Sequence, residues 1–137
     1  MVLGCLALPD AWSTPPVWVV VALFAAFFLT EATDPELVHL ELDLFWATRG
    51  ARDPVDLINE HRGRVLQYHV KDMNQAGSFE DPGQGLIDFA RIFRHSDEAG
   101  VREYIVERDD AGTAPREPAD ALDTARVGYQ FLSTVRF

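Results

Sequence analysis

Lysine is almost missing from this chain: Lys71 is the only one in 137 residues. Cysteine is as scarce. Cys5 stands alone, so neither an internal disulfide nor a cysteine-based zinc site can form, and a cytoplasmic location is the default expectation. Residues 1 to 30 contain no Lys, Arg or His, and Asp10 is their only acid. A secretory signal, which needs a basic start ahead of its apolar stretch, is therefore not expected. The longest apolar run, Val17 to Leu29, has thirteen residues, against about 20 for a helix that spans a bilayer. It predicts a buried strand or helix, opened by Pro15-Pro16, and no membrane partner. Clustered basic residues are missing too: 12 Lys and Arg face 22 Asp and Glu, for a net charge of −10. Nucleic acid is excluded as an expected partner, because affinity for a phosphate backbone needs grouped Lys and Arg.

What is present is enough for one domain. A 47% hydrophobic content can bury a core, although the length falls well short of the roughly 250 residues of a complete eight-stranded α/β barrel. "TDPELV" and "RDPVDLINEHRG" each place Asp before Pro, the N-cap and first-turn proline of a helix start. The second predicts a helix from about Pro54 to Arg62, ended by Gly63. In "GLIDFARIFRHSDEAG", Leu86, Phe89, Ala90 and Phe93 form an i, i+3, i+4, i+7 stripe, with Gly100 as the stop. Beyond the loop "GTAPREP", Leu122, Ala125, Tyr129 and Leu132 continue that spacing in a third helix.

Three β-like runs separate these helices: "VHLELDLFW", "RVLQYHVKD" and "REYIVERD". Strand side chains alternate faces, so parity sorts each run. Leu40, Leu42 and Leu44 oppose His39, Glu41 and Asp43. Leu66, Tyr68 and Val70 oppose Gln67, His69 and Lys71, and Tyr104 and Val106 oppose Glu103, Ile105 and Glu107. An antiparallel sheet with one wet side gives the same alternation. Strands that alternate with helices are instead expected to run parallel, with both faces covered. A barrel reconciles the two, its inward polar residues forming the floor of a site at the strands' C-terminal ends. Asp43, His69 and Glu107 fall at or near those ends and share one parity. Two carboxylates and an imidazole suit Mn²⁺, Mg²⁺, Co²⁺ or Zn²⁺. Singly, each is more often a cap, an ion-pair partner or a structural histidine, and their common parity across three units is what favours the metal reading. The "PGQG" loop could cradle a phosphate, but without a following Lys it reads better as a turn.

"HLELDLFWATRGARDPVDLINEHRGRVLQYHVKDM", "GQGLIDFARIF" and "AGVREYIVERD" together resemble the last three βα units of the xylose isomerase-like TIM barrels, the sugar phosphate isomerase/epimerase group. The resemblance covers residues 30 to 137. It implies a partial (β/α)8 barrel with parallel strands each followed by a helix, and an unmatched apolar N-terminal segment at residues 1 to 29. It further implies a divalent metal held by Asp43, His69 and Glu107, with Glu107 also moving a proton, and Lys71 and Trp46 at the rim against substrate. The implied activity is sugar or sugar phosphate isomerisation or epimerisation beside a carbonyl through an enediolate. The alternatives are an inosose dehydratase-like lyase and a non-catalytic metal- or carbohydrate-binding remnant. Trp46 stands where some relatives carry a histidine, which leaves the epimerase subtype open. The family's first metal-binding Glu comes from a preceding strand, and no glutamate precedes Glu31 here. The chain is therefore expected to be weakly active or inactive alone. Residues 1 to 29 are expected to be unrelated sequence joined to a barrel remnant by truncation or a shifted reading frame, and the uncovered strands to invite a second copy or another polypeptide with the missing barrel half.

Overall fold

The computed structural model describes residues 29–111, 117 and 119–137. The Pro15-Pro16 start, the apolar run up to residue 28 and most of the 112–118 loop lie outside the described residues.

Three strands form one parallel sheet. They are β1 (Leu40–Asp43), β2 (Val65–Val70) and β5 (Glu103–Val106), in the order β1-β2-β5. Between β1 and β2 lie α1 (Leu44–Arg49) and α2 (Pro54–Glu60). Between β2 and β5 come a small antiparallel pair, β3 (Asp72–Met73) and β4 (Phe79–Glu80), and two short helices, α3 (Phe89–Phe93) and α4 (Ser96–Ala99). After β5 the chain enters α5 (Asp120–Thr134). Parallel strands joined by helical crossovers are the arrangement expected of part of a (β/α)8 barrel.

The parity assignment holds from Glu41 and Gln67 onward, but at the start of β2 a register shift opposite Leu40 and Glu41 puts Val65 in the core in place of the expected Leu66. Leu42, Tyr68, Val70 and Tyr104 turn to the helices, where they meet Leu44, Ile58, Phe89 and Phe93. Tyr68 lies at the centre, stacked on Phe93 with centroids 6.0 Å apart and edge-on to Tyr104 at 5.7 Å. Each large side chain buried this fully contributes about 1.5–3 kcal/mol, so this one apolar face fixes which face of every strand is left for polar groups.

Two helix starts behave differently despite the same Asp-Pro signal. Asp53 caps α2 by accepting from Val55 N, with Pro54 in the first turn, and the helix stops at Glu60, before the expected Arg62. Asp34 likewise accepts from Glu36 N, but residues 35–37 make a single turn closed by Val38 N on Asp34 O. No helix develops there, because the chain must extend again by Leu40 to enter the sheet.

The stripe through residues 86 to 99 is divided between α3 and α4, with Leu86 exposed and Ile87 packed on the core instead. The cause is Asp72. Its fully buried carboxylate accepts from Met73 N and Ile87 N on Oδ1 (2.8 and 3.1 Å), and from Gly83 N and Gly85 N on Oδ2, both at 2.9 Å. The "PGQG" segment thus turns about an internal carboxylate, its amides directed at Asp72. Gly85 is required there, since a Cβ would run into the Asp72 carboxylate and Met73 O.

The third expected stripe is rotated. In α5, Leu122 and Tyr129 are 78% and 72% exposed, whereas Thr124 and Gly128 are buried. Gly128 lets the helix close onto Val106 of β5, and Thr124 Oγ1 donates to Asp81 Oδ1 at 2.8 Å. Arg108, only 9% exposed, reaches Glu80, Asp81 and Asp110 at 3.2, 3.1 and 2.6 Å. It ties the segment after β5 to β4 and, through Asp81, to α5.

Candidate functional site

The opposite face of the sheet carries the polar set. Asp43 and His69 are register partners across β1 and β2, and Glu107 follows β5 with its backbone N donating to Val70 O at 3.3 Å. The strand geometry alone therefore brings together residues 26 and 38 positions apart in sequence. One ligand atom from each of Asp43, His69 and Glu107 falls within 4.8 Å of the others.

Each carboxylate is oriented from behind. Asp43 is the N-cap of α1 and spends Oδ1 on Trp46 N at 2.8 Å, which turns Oδ2 toward the site. Oδ2 lies 3.6 Å from His69 Nδ1 and 3.0 Å from Lys71 Nζ. Glu107 Oε2 lies 2.7 Å from His69 Nδ1 and 2.9 Å from Lys71 Nζ. That oxygen is buried between these two groups.

Lys71 takes a deeper position than the rim. Its side chain is 2% exposed, and Nζ donates to Asp109 Oδ1 at 2.6 Å. Burial alone would favour the neutral amine, but Asp109, Glu107 and Asp43 together outweigh it and hold the proton above the ordinary lysine range. The rings of Trp46 and Phe79 lie 5.8 Å from the ammonium, within cation–π reach. Trp46 also packs edge-on against Phe45 at 5.0 Å and Phe79 at 6.0 Å. The hairpin of β3 and β4 thus supplies one wall of the site.

Two further acids join the set. Glu41 Oε1 approaches His69 Nε2 to 3.0 Å, and Asp109 holds Lys71. Parity already places Glu41 on the face of Asp43, two residues along the strand. Asp109 stands two residues past Glu107, beyond the end of β5, where alternation no longer assigns a face.

The donor set fits a divalent cation. Four carboxylates converge on one ammonium and one imidazole, so the cluster carries excess negative charge. One ligand atom from each of Asp43, His69 and Glu107 lies within 4.8 Å of the other two. Oxygen and imidazole donors suit hard to borderline ions.

No family model matches the chain. It is similar to inosose dehydratases of Geobacillus kaustophilus and Geobacillus thermodenitrificans, at 32% and 31% identity over 66% of this chain and 35% and 38% of theirs. Two solved structures of sugar phosphate isomerase/epimerases from Parabacteroides distasonis superpose with a TM-score of 0.61. They are 27% and 26% identical to it, over 78% and 81% of this chain and 35% and 37% of those chains. The chain thus spans little more than a third of the length of the relatives it matches. No helix of the described residues is long and apolar enough to cross a membrane.

Proposed function

We propose, from the premise that this chain matches the xylose isomerase-like (β/α)8 barrels in sequence and fold, that residues 30 to 137 carry the divalent-metal site of a sugar isomerase or epimerase. Asp43, His69 and Glu107 would hold the ion, Mn²⁺, Mg²⁺, Co²⁺ or Zn²⁺. The observation that supports this best is that one ligand atom from each of Asp43, His69 and Glu107 lies within 4.8 Å of the others. When bound, the metal would polarise the carbonyl and hydroxyl oxygens of the sugar.

The chain's own residues would do the rest. Glu107 would take the proton beside the carbonyl and return it to the neighbouring carbon or the opposite face, through an enediolate. Trp46 would form an apolar wall against the sugar ring. Lys71 would meet a substrate oxygen that enters between Asp43 and Glu107. Because the cluster already carries more negative than positive charge, an uncharged sugar would be favoured over a sugar phosphate.

The similarity to inosose dehydratases supports a second reading, elimination of water from a cyclic polyol ketone begun by the same proton abstraction. Deuterium exchange beside the carbonyl tests both at the shared step. With Mn²⁺, a ketose or an inosose should take up deuterium slowly, and Glu107→Gln should lower the rate by about 10²- to 10⁴-fold. Exchange that survives Glu107→Gln unchanged would remove Glu107 from the reaction, and no exchange from a Mn²⁺-loaded chain would remove the activity. The product, epimer or dehydrated ketone, then separates the two readings.

A further inference from the structure

Lys71 Nζ lies among three carboxylates. It donates to Asp109 Oδ1 at 2.6 Å, and Glu107 Oε2 and Asp43 Oδ2 stand 2.9 and 3.0 Å away. These last two oxygens also face His69, at 2.7 and 3.6 Å from Nδ1, and they belong to the carboxylates assigned above to a divalent ion. An ammonium at ion-pair distance from both already does what a cation would do there, neutralising two acids that the strand register brings to one histidine. The Lys71 side chain is 2% exposed, so the pairing is shielded from water and stronger than a surface ion pair. The same oxygens cannot serve both partners. A divalent ion draws its oxygen ligands in to about 2.0–2.6 Å, which would set a double positive charge directly against the ammonium.

We propose that Lys71 is an internal occupant of the cation site: its ammonium and a divalent ion are alternative partners of Asp43 Oδ2 and Glu107 Oε2, and the ion binds by displacing the ammonium from both. The contact is therefore autoinhibitory. Lys71 pairs the two carboxylates when no ion holds them and lowers the affinity for one. Once displaced, it has donors free for a substrate oxygen, since an ammonium carries three. This rests on the metal reading above and adds a competition which that reading does not require.

The test uses the full chain and the metal alone. By titration calorimetry, Lys71→Met should bind Mn²⁺ roughly tenfold or more tightly than the wild type, because no buried ammonium then has to leave the ligand oxygens. A second measurement leaves Lys71 in place. As the only lysine in the chain, it gives one side-chain resonance in protein labelled with ¹⁵N-lysine. Saturating the wild type with Zn²⁺, which is diamagnetic, should shift that resonance and make the ammonium hydrogens exchange faster with water. A positive charge acting only from a distance would also tighten binding in Lys71→Met, but it would leave the ammonium where it is and its hydrogens slow. Binding by Lys71→Met no tighter than by the wild type, or exchange unchanged at saturating Zn²⁺, would overturn the proposal. Where Lys71→Met does not fold, the wild-type resonance decides by itself. A wild-type chain that binds neither ion would overturn the metal reading and this proposal with it, whereas binding that leaves Lys71 unmoved would overturn this proposal alone.

Discussion

His69 Nδ1 and Glu107 Oε2 lie 2.7 Å apart, although one is on β2, the other follows β5, and an entire crossover separates them. Their approach depends on register: β2 and β5 pair His69 with Ile105, which carries Glu107 just past the sheet's edge. Whatever fixes that crossover also fixes the site.

Asp72 is the strongest such fixture. Asp72→Ala leaves four backbone N–H donors in a buried turn without their acceptor, and each unsatisfied donor costs about 1–3 kcal/mol. Urea unfolding should therefore show a loss of at least about 3 kcal/mol. Asp72→Asn should recover little, because its amide NH₂ would face two of those donors. A loss below about 1 kcal/mol for Asp72→Ala would show that the turn does not depend on the carboxylate.

Glycines in the described loops should differ in a set order. Gly85→Ala drives a methyl into Asp72 and Met73 O, whereas Gly63→Ala meets open space and carries only the strain of its φ of +75°. The latter should cost about 1–2 kcal/mol, and Gly85→Ala clearly more. Thermal unfolding of the two variants gives the comparison, and the reverse order would contradict the packing described.

Asp53 gives the pH dependence. Its two oxygens accept from Arg91 Nη2, both at 2.7 Å, and this partner is the main reason its carboxyl is held below the ordinary aspartate range. A depressed folded value adds stability that is present above the unfolded value, about 3.9, and is lost as pH falls through the folded one. The pair is well exposed, so its contribution is at most a few tenths of a kcal/mol. An NMR titration should place Asp53 below ordinary aspartates in the wild type and move it up in Arg91→Ala. No movement would contradict the pairing.

Much of this arrangement is legible in the sequence, because a period of two is rigid. Once Leu40, Leu42, Tyr68, Val70 and Tyr104 turn to the helices, Asp43, His69 and Glu41 have one face left. Helices were less legible. In α5 the buried face centres on Thr124 and Gly128, small residues that admit Val106, so a search for large apolar side chains finds Leu122 and Tyr129 on the wrong side. The Asp34-Pro35 signal gave one turn because the following strand begins too soon for a helix. Asp72 was invisible as a hub. Its partners are backbone amides up to fifteen residues away, and they leave no mark on side-chain pattern.

Asp43, His69 and Glu107 are proposed to form one cation site. Calorimetric titration of the chain with Mn²⁺, beside His69→Ala, tests it most directly. One saturable site is expected in the wild type and one at least about tenfold weaker in the variant, since a lost ligand should cost no less than a lost supporting group. No binding to the wild type, or equal binding to both, would contradict it.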